Sequence, residues 1–313
     1  MIDSNILQSQ RDIYGQAMLE IAEKDSRVVA VTADLADSTR LFPFREKFPN
    51  RFFDVGVSEQ TAVGIAVGLA HVGFIPFVSS FGVFIPGRAF DHIRVSVALN
   101  CANVRLIGSH LGLSNYGDGA TAQAIEDIAL VRSLPNMTII SPADSLELKK
   151  TIYALVDFIG PVYLRMSRAP SPVVTEVPSP FKIGKATVLK EGKDLTLVGC
   201  GPILTEALSV AKSLENENIS VEIINMSTIK PLDEETLINS VAKTGKTLTI
   251  EEHSIFGGLG EAVAHVLSEN IPSPLKIMGI RDRFGQSARS QEELYSEYGL
   301  DKNSIIHEIK KCL

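Results

Sequence analysis

Cysteine is scarce in this chain. Only Cys101, Cys200 and Cys312 occur among 313 residues, unclustered and without CxxC spacing. That excludes a disulfide framework, argues against a metal–thiolate site, and makes a reducing cytoplasm the expected compartment. No Lys/Arg block stands out and the net charge is −7, so neither nucleic acid nor an anionic membrane is expected as the main partner. Long apolar runs are missing too. The most apolar window, 72–87, is broken by Pro76, Ser79, Ser80 and Pro86 and falls short of the ~20 residues a bilayer requires. The segment Met1-Ile2-Asp3-Ser4-Asn5 lacks the basic and apolar regions of a secretory signal. No internal repeat or low-complexity tract is visible. A hydrophobic share of 45% with 21% charged residues describes a globular chain, long enough for two domains.

Short β-branched runs alternate with helical patterns throughout. Strands are expected at 28–32, 75–80, 104–109, 137–140, 162–166, 195–199, 221–225, 247–251 and 275–278. Helices are expected at 13–24, 61–71, 124–133, 145–158, 203–215 and 259–268. This alternation predicts an α/β fold of two domains, each with a mainly parallel sheet flanked by helices. Pro170, Pro172, Pro178 and Pro180 mark a linker over 169–184, between a first domain at 1–168 and a second at 185–313. Ligands of open parallel sheets bind beyond the carboxyl ends of the strands. Asp34, Ser38, Phe81, Phe84, Ser109 and His110 all fall there, in the first domain.

Glu59 follows Phe53-Asp54-Val55-Gly56-Val57-Ser58 and precedes a stretch rich in Ala and Gly. A carboxylate beside so apolar a segment is poorly solvated and needs a specific partner. The bland alternative is a first-turn acid behind the cap Ser58, complementing the helix dipole. Gly199-Cys200-Gly201-Pro202 opens like a dinucleotide loop but lacks the third glycine, so that reading is set aside. Gly117-Asp118-Gly119 looks like half of a thiamine enzyme's magnesium–diphosphate motif, but the paired asparagines some thirty residues on are missing.

Taken in order, several segments resemble the C-terminal two-thirds of the transketolase family. They are Thr32-Ala33-Asp34-Leu35-Ala36-Asp37-Ser38, Gly56-Val57-Ser58-Glu59-Gln60, Phe74-Ile75-Pro76-Phe77-Val78-Ser79-Ser80-Phe81 and Asp118-Gly119-Ala120-Thr121. Leu134-Pro135-Asn136-Met137, Ser141-Pro142-Ala143-Asp144, Glu251-Glu252-His253 and Gly257-Gly258-Leu259-Gly260 continue the series. The resemblance covers nearly the whole chain. It implies a pyrimidine-binding domain, a C-terminal domain and one half of a thiamine diphosphate site. Glu59 then matches the catalytic glutamate that holds the pyrimidine nitrogen. Phe84 matches the stacking aromatic, with Phe81 beside it, and Asp34 lines the pocket. Arg11, Ser38, His110 and Arg168 match groups that hold a sugar phosphate, and Asp118 matches an aspartate that binds a sugar hydroxyl.

The activity so implied is transfer of a two-carbon ketol unit between phosphosugars by the C-terminal subunit of a split transketolase. An N-terminal subunit would hold the diphosphate and Mg2+, and two copies of each chain would assemble as α2β2. One departure stands out, for Ala122 occupies the place of a family histidine that contacts the donor. A 1-deoxyxylulose-phosphate synthase, a 2-oxo-acid dehydrogenase β subunit and a non-catalytic scaffolding relative are the rival readings. His253 reads as structural or interfacial.

Overall fold

The computed structural model describes residues 7–175 and 181–313. Pro178 and Pro180 of the expected linker, and the amino-terminal Met1–Asn5 stretch, lie outside them.

The contiguous β-branched runs build the central strands. In the first sheet Val28–Thr32, Ile75–Phe81, Arg105–Ser109 and Val162–Met166 lie side by side and parallel. All but the last residue of Ile75–Phe81 in these four strands are buried, as continuous apolar strands covered by helices on both faces should be. Phe52–Asp54 extends one edge and Thr138–Ile140 the other, and Thr228–Lys230 adds antiparallel to Thr138–Ile140. A second sheet runs Leu275–Ile280, Thr247–Ser254, Leu195–Gly199 and Val221–Asn225 in parallel, closed by the antiparallel Thr187–Lys190.

The expected strands are all present, with ends shifted by a few residues. The three-residue strands Phe52–Asp54 and Thr228–Lys230 were not expected, nor were the helices Glu234–Thr244, Gln291–Tyr298 and Lys302–Cys312. Residues of the expected linker are tied down where they are described. Ser171–Pro172 pairs with Leu7–Gln8, and Asp144 Oδ2 accepts from the backbone of Val174 (2.7 Å) and Thr175 (2.6 Å).

The halves interlock. Thr228–Lys230, from beyond the linker, completes the first sheet, and one apolar cluster runs from Val31 and Val78 to Val198, Ile224 and Val263. Polar seams add to it. Arg165, fully buried, forks onto Asp127 at 2.6 and 3.0 Å and also reaches the carbonyl of Glu252 at 3.3 Å. Glu252 accepts from Leu113 N–H, Gln291 and the Tyr295 hydroxyl, and burial raises its carboxyl above the usual range. Gly112, at φ +48°, lets the strand carrying Glu252 approach, since a Cβ there would lie 2.6 Å from the Glu252 carbonyl oxygen. His253 is buried and structural. Its Nδ1 lies 2.7 Å from the Ser254 carbonyl, and its Nε2 accepts from Ala129 N–H at 3.4 Å.

Candidate active site

The carboxyl ends of the first sheet's parallel strands gather most of the expected site residues. Glu59 opens the helix Glu59–His71 and is only 4% exposed. Ser58 holds the N-cap position but makes no side-chain cap bond; its hydroxyl pairs with the Thr61 hydroxyl at 2.7 Å. The cap expected from sequence is therefore absent, and the carboxylate is satisfied from elsewhere. Arg88 Nη1 donates to Glu59 Oε1 and Oε2 at 3.1 and 3.2 Å, and the Ser80 hydroxyl donates to Oε1 at 3.4 Å. Neither partner was foreseen. Ser80 closes the strand expected at 75–80, whereas Arg88 lies twenty-nine positions away in sequence. One signal for Arg88 was readable, because Phe84 and Arg88 sit four apart on a helical turn, the spacing at which side chains meet. The Arg88 guanidinium carbon lies 4.0 Å over the Phe84 ring.

Phe84 in turn stacks on Phe81 at 5.5 Å with 14° between planes. Phe81 also stacks with His110 at 3.9 Å and 29°. Phe81 therefore has two stacked ring neighbours, His110 and Phe84.

His110 has φ +62° and bonds the Ser109 hydroxyl through Nδ1 at 2.8 Å. Burial first, then the positive charges of Arg11, Arg168 and Arg40, push its pKa down to about 3. It is therefore a neutral imidazole among guanidinium groups. Arg11 Nη1 donates to the Ser38 carbonyl at 3.3 Å, while its Nε is buried without a partner. Burial, then Arg40 and Arg168, lower the Arg11 pKa. Of the Arg165/Arg168 pair, Arg168 is the one that lies at the candidate site. It is held by Asn115 Oδ1 at 3.0 Å, whereas Arg165 is locked into the buried seam.

Arg40 and Asn115 are additions that motif reading missed. Arg40 bonds Asp12 at 2.6 Å, and Gly15 lets its backbone settle on the helix Gln10–Lys24, since a Cβ there would lie 2.4 Å from the Arg40 carbonyl oxygen.

Asp34 and Asp118 stand at the margin. Asp34 is exposed at φ +60°, with its N–H held by Asp54 Oδ1 at 2.9 Å. Asp118 is exposed in the loop beside Arg168, where a Cβ on Gly117 would lie 4.0 Å from Arg168 Nη1. Ala122 is buried, and its carbonyl accepts from Asn115 Nδ2 at 3.2 Å. The same loop is covered by the second domain, through Gln123 Nε2 to the Gln286 carbonyl at 3.0 Å and Ala288 N–H to the Tyr116 carbonyl at 2.9 Å. Among the described residues no group of His, Cys, Asp and Glu is arranged to hold a metal ion, and no helix is long and apolar enough to cross a membrane.

A buried carboxylate beside an aromatic platform, with a cationic cluster next to it, is suited to a flat nitrogen heterocycle and an anionic substrate. Residues 8–172 match the transketolase pyrimidine-binding domain, and residues 184–305 match the transketolase C-terminal domain. This chain belongs to the transketolase family. A putative transketolase C-terminal section from Methanocaldococcus jannaschii is 41% identical, over 98% of this chain and 96% of that protein. A 6-deoxy-6-sulfo-D-fructose transketolase subunit from a Clostridium species is 39% identical, over 96% of this chain and 94% of its own length. Among solved structures, a split-gene transketolase described as an inactive β4 tetramer superimposes with a TM-score of 0.88. It is 41% identical and covers 97% of this chain and 98% of its own. The transketolase chain described here is the C-terminal section of a split thiamine enzyme of that family, and the family depends on thiamine diphosphate.

Proposed function

We propose that this transketolase section is one wall of a shared active site and turns over only with an N-terminal partner chain that holds the diphosphate and Mg2+. The observation that carries this reading is Glu59, a carboxylate 4% exposed whose partner Arg88 also lies over the Phe84 ring, at the carboxyl ends of a parallel sheet. These residues fit the pyrimidine half of thiamine diphosphate. When bound, the cofactor supplies the electron sink for carbon–carbon cleavage. Glu59 holds a proton at the pyrimidine ring nitrogen, Phe84 orients the ring with Phe81 behind it, and Asp34 lines the rim. Arg11, Ser38, His110 and Arg168 hold the substrate's phosphate, and Asp118 takes a sugar hydroxyl. The reaction is ketol transfer from a ketose to an aldose.

Exposed Val57, Ile65, Val72, Val95 and Leu99, on and around the Glu59–His71 helix, offer the apolar area that a partner chain would cover. We read the assembly as α2β2. The β4 tetramer reported for the 41%-identical split-gene transketolase is in keeping with a chain that self-associates and is idle alone. We take 1–168 and 185–313 as the two domains, and place the protein in the cytoplasm on its three free cysteines.

Co-expression with a candidate N-terminal chain tests the reading, followed by a thiamine-dependent screen over phosphorylated and unusual sugars. Ketol transfer that needs both chains is expected. Decarboxylation of pyruvate without ketol transfer would favour the 2-oxo-acid enzymes. A well-assembled, cofactor-loaded pair that turns over nothing would favour the scaffolding reading.

A further inference from the structure

We infer that Arg88 stands in for the heterocycle in the unpartnered chain, and that the cofactor's pyrimidine can dock only when the Arg88 side chain swings out. The inference rests on the pyrimidine placement proposed above and adds an occupant to it.

A guanidinium is planar, delocalised and a multiple N–H donor. Arg88 uses those properties here. Its Nη1 donates to both oxygens of Glu59, and its guanidinium carbon lies 4.0 Å over the Phe84 ring. A pyrimidine held by Glu59 and stacked on Phe84 would make those same two contacts. Phe84 also lies nearly parallel to Phe81 with centroids 5.5 Å apart, so the ring already has two planar neighbours, Phe81 and the Arg88 guanidinium. Glu59 is almost wholly buried, and Arg88 pairs with its carboxylate at 3.1 Å.

The arrangement is also built to move. The backbone at residue 88 is pinned on both sides, by Arg88 N–H to the Phe84 carbonyl at 2.8 Å and by Gln60 Nε2 to the Arg88 carbonyl at 3.2 Å. The side chain is 48% exposed, so it can turn into solvent without disturbing the core. In the closed arrangement Arg88 also supplies the charge partner that a buried carboxylate requires. The site is thus a receptor for flat, N–H-donating nitrogen groups, occupied from within by the chain's own arginine.

The test is titration of the full chain, without any partner, with 4-aminopyrimidine, comparing wild type, R88M, R88K, E59Q and E59Q/R88M. If the closed form holds about nine-tenths of the molecules, R88M should bind about ten-fold more tightly, because the competent fraction rises toward one. Guanidinium chloride at millimolar concentration should compete in R88M, and E59Q/R88M should lose the gain. R88K keeps the charge but not the flat stacking surface, and should fall between wild type and R88M. R88K also carries the test if R88M does not fold, as judged by thermal unfolding. Equal or weaker binding by both single variants, with wild-type binding still dependent on Glu59, would overturn the inference and leave the proposed function standing. No binding by any variant that retains Glu59 would overturn the inference and the pyrimidine placement together.

Discussion

The imidazole of His110 lies 3.9 Å, centroid to centroid, from the ring of Phe81. This contact joins the cationic cluster of Arg11, Arg40 and Arg168 to the Phe81–Phe84 ring pair. It also explains why His110 is kept neutral, for it is buried against that ring and faces Arg11, Arg168 and Arg40.

The neutral imidazole gives a pH dependence of stability with a definite sign. Folded His110 takes a proton only near pH 3, whereas an unfolded histidine does so near 6.5. Below about 6.5 the unfolded chain binds more protons, so this group costs stability as pH falls toward 3 and contributes nothing above that window. The slope is at most about 1.4 kcal/mol per pH unit. H110N keeps a residue tolerant of positive φ and removes the titration. Denaturant unfolding between pH 7 and 4 should show wild type losing more stability than H110N. Parallel curves would contradict the assignment.

Arg165 and Asp127 form a buried pair, each about 1% exposed. Removing one charge leaves the other unpaired, which costs about 3–5 kcal/mol. D127N should lower the denaturant midpoint accordingly. The loss should exceed that of D12N, whose partner Arg40 is 40% exposed on its side chain.

Asn115 aims Arg168 by a 3.0 Å bond from Arg168 Nη1 to Asn115 Oδ1. In the assembled enzyme R168M should raise KM for a phosphorylated sugar about 10- to 100-fold, the worth of a lost bond to a charged group. N115A should produce a smaller rise with kcat nearly unchanged. KM for a sugar lacking the phosphate should hardly move in either variant.

Much of this architecture was legible in the sequence, and for a physical reason. Runs such as Val28–Thr32 and Val162–Met166 are buried on both faces, so most of their positions are apolar and the run stands out. Phe52–Asp54 and Thr228–Lys230 carry no comparable signal, because three residues become a strand only when a neighbour offers them an edge. The helices Glu234–Thr244, Gln291–Tyr298 and Lys302–Cys312 left a trace that was not used, in their capping residues Asp233, Ser290 and Asp301. Glu59 was visible as a member of an ordered motif, and Phe84 and His110 as positions beyond strand ends that the family resemblance matched. Arg88 was not, because its partner Glu59 lies on another element, and only folding sets an ion pair across twenty-nine positions.

The most direct measurement is turnover of the reconstituted two-chain enzyme carrying E59Q, with cofactor binding followed in parallel. Glutamine keeps the shape of the side chain and cannot take up or release the proton. The account predicts an assembled complex whose kcat falls about 100- to 10,000-fold. Wild-type turnover by E59Q would contradict it.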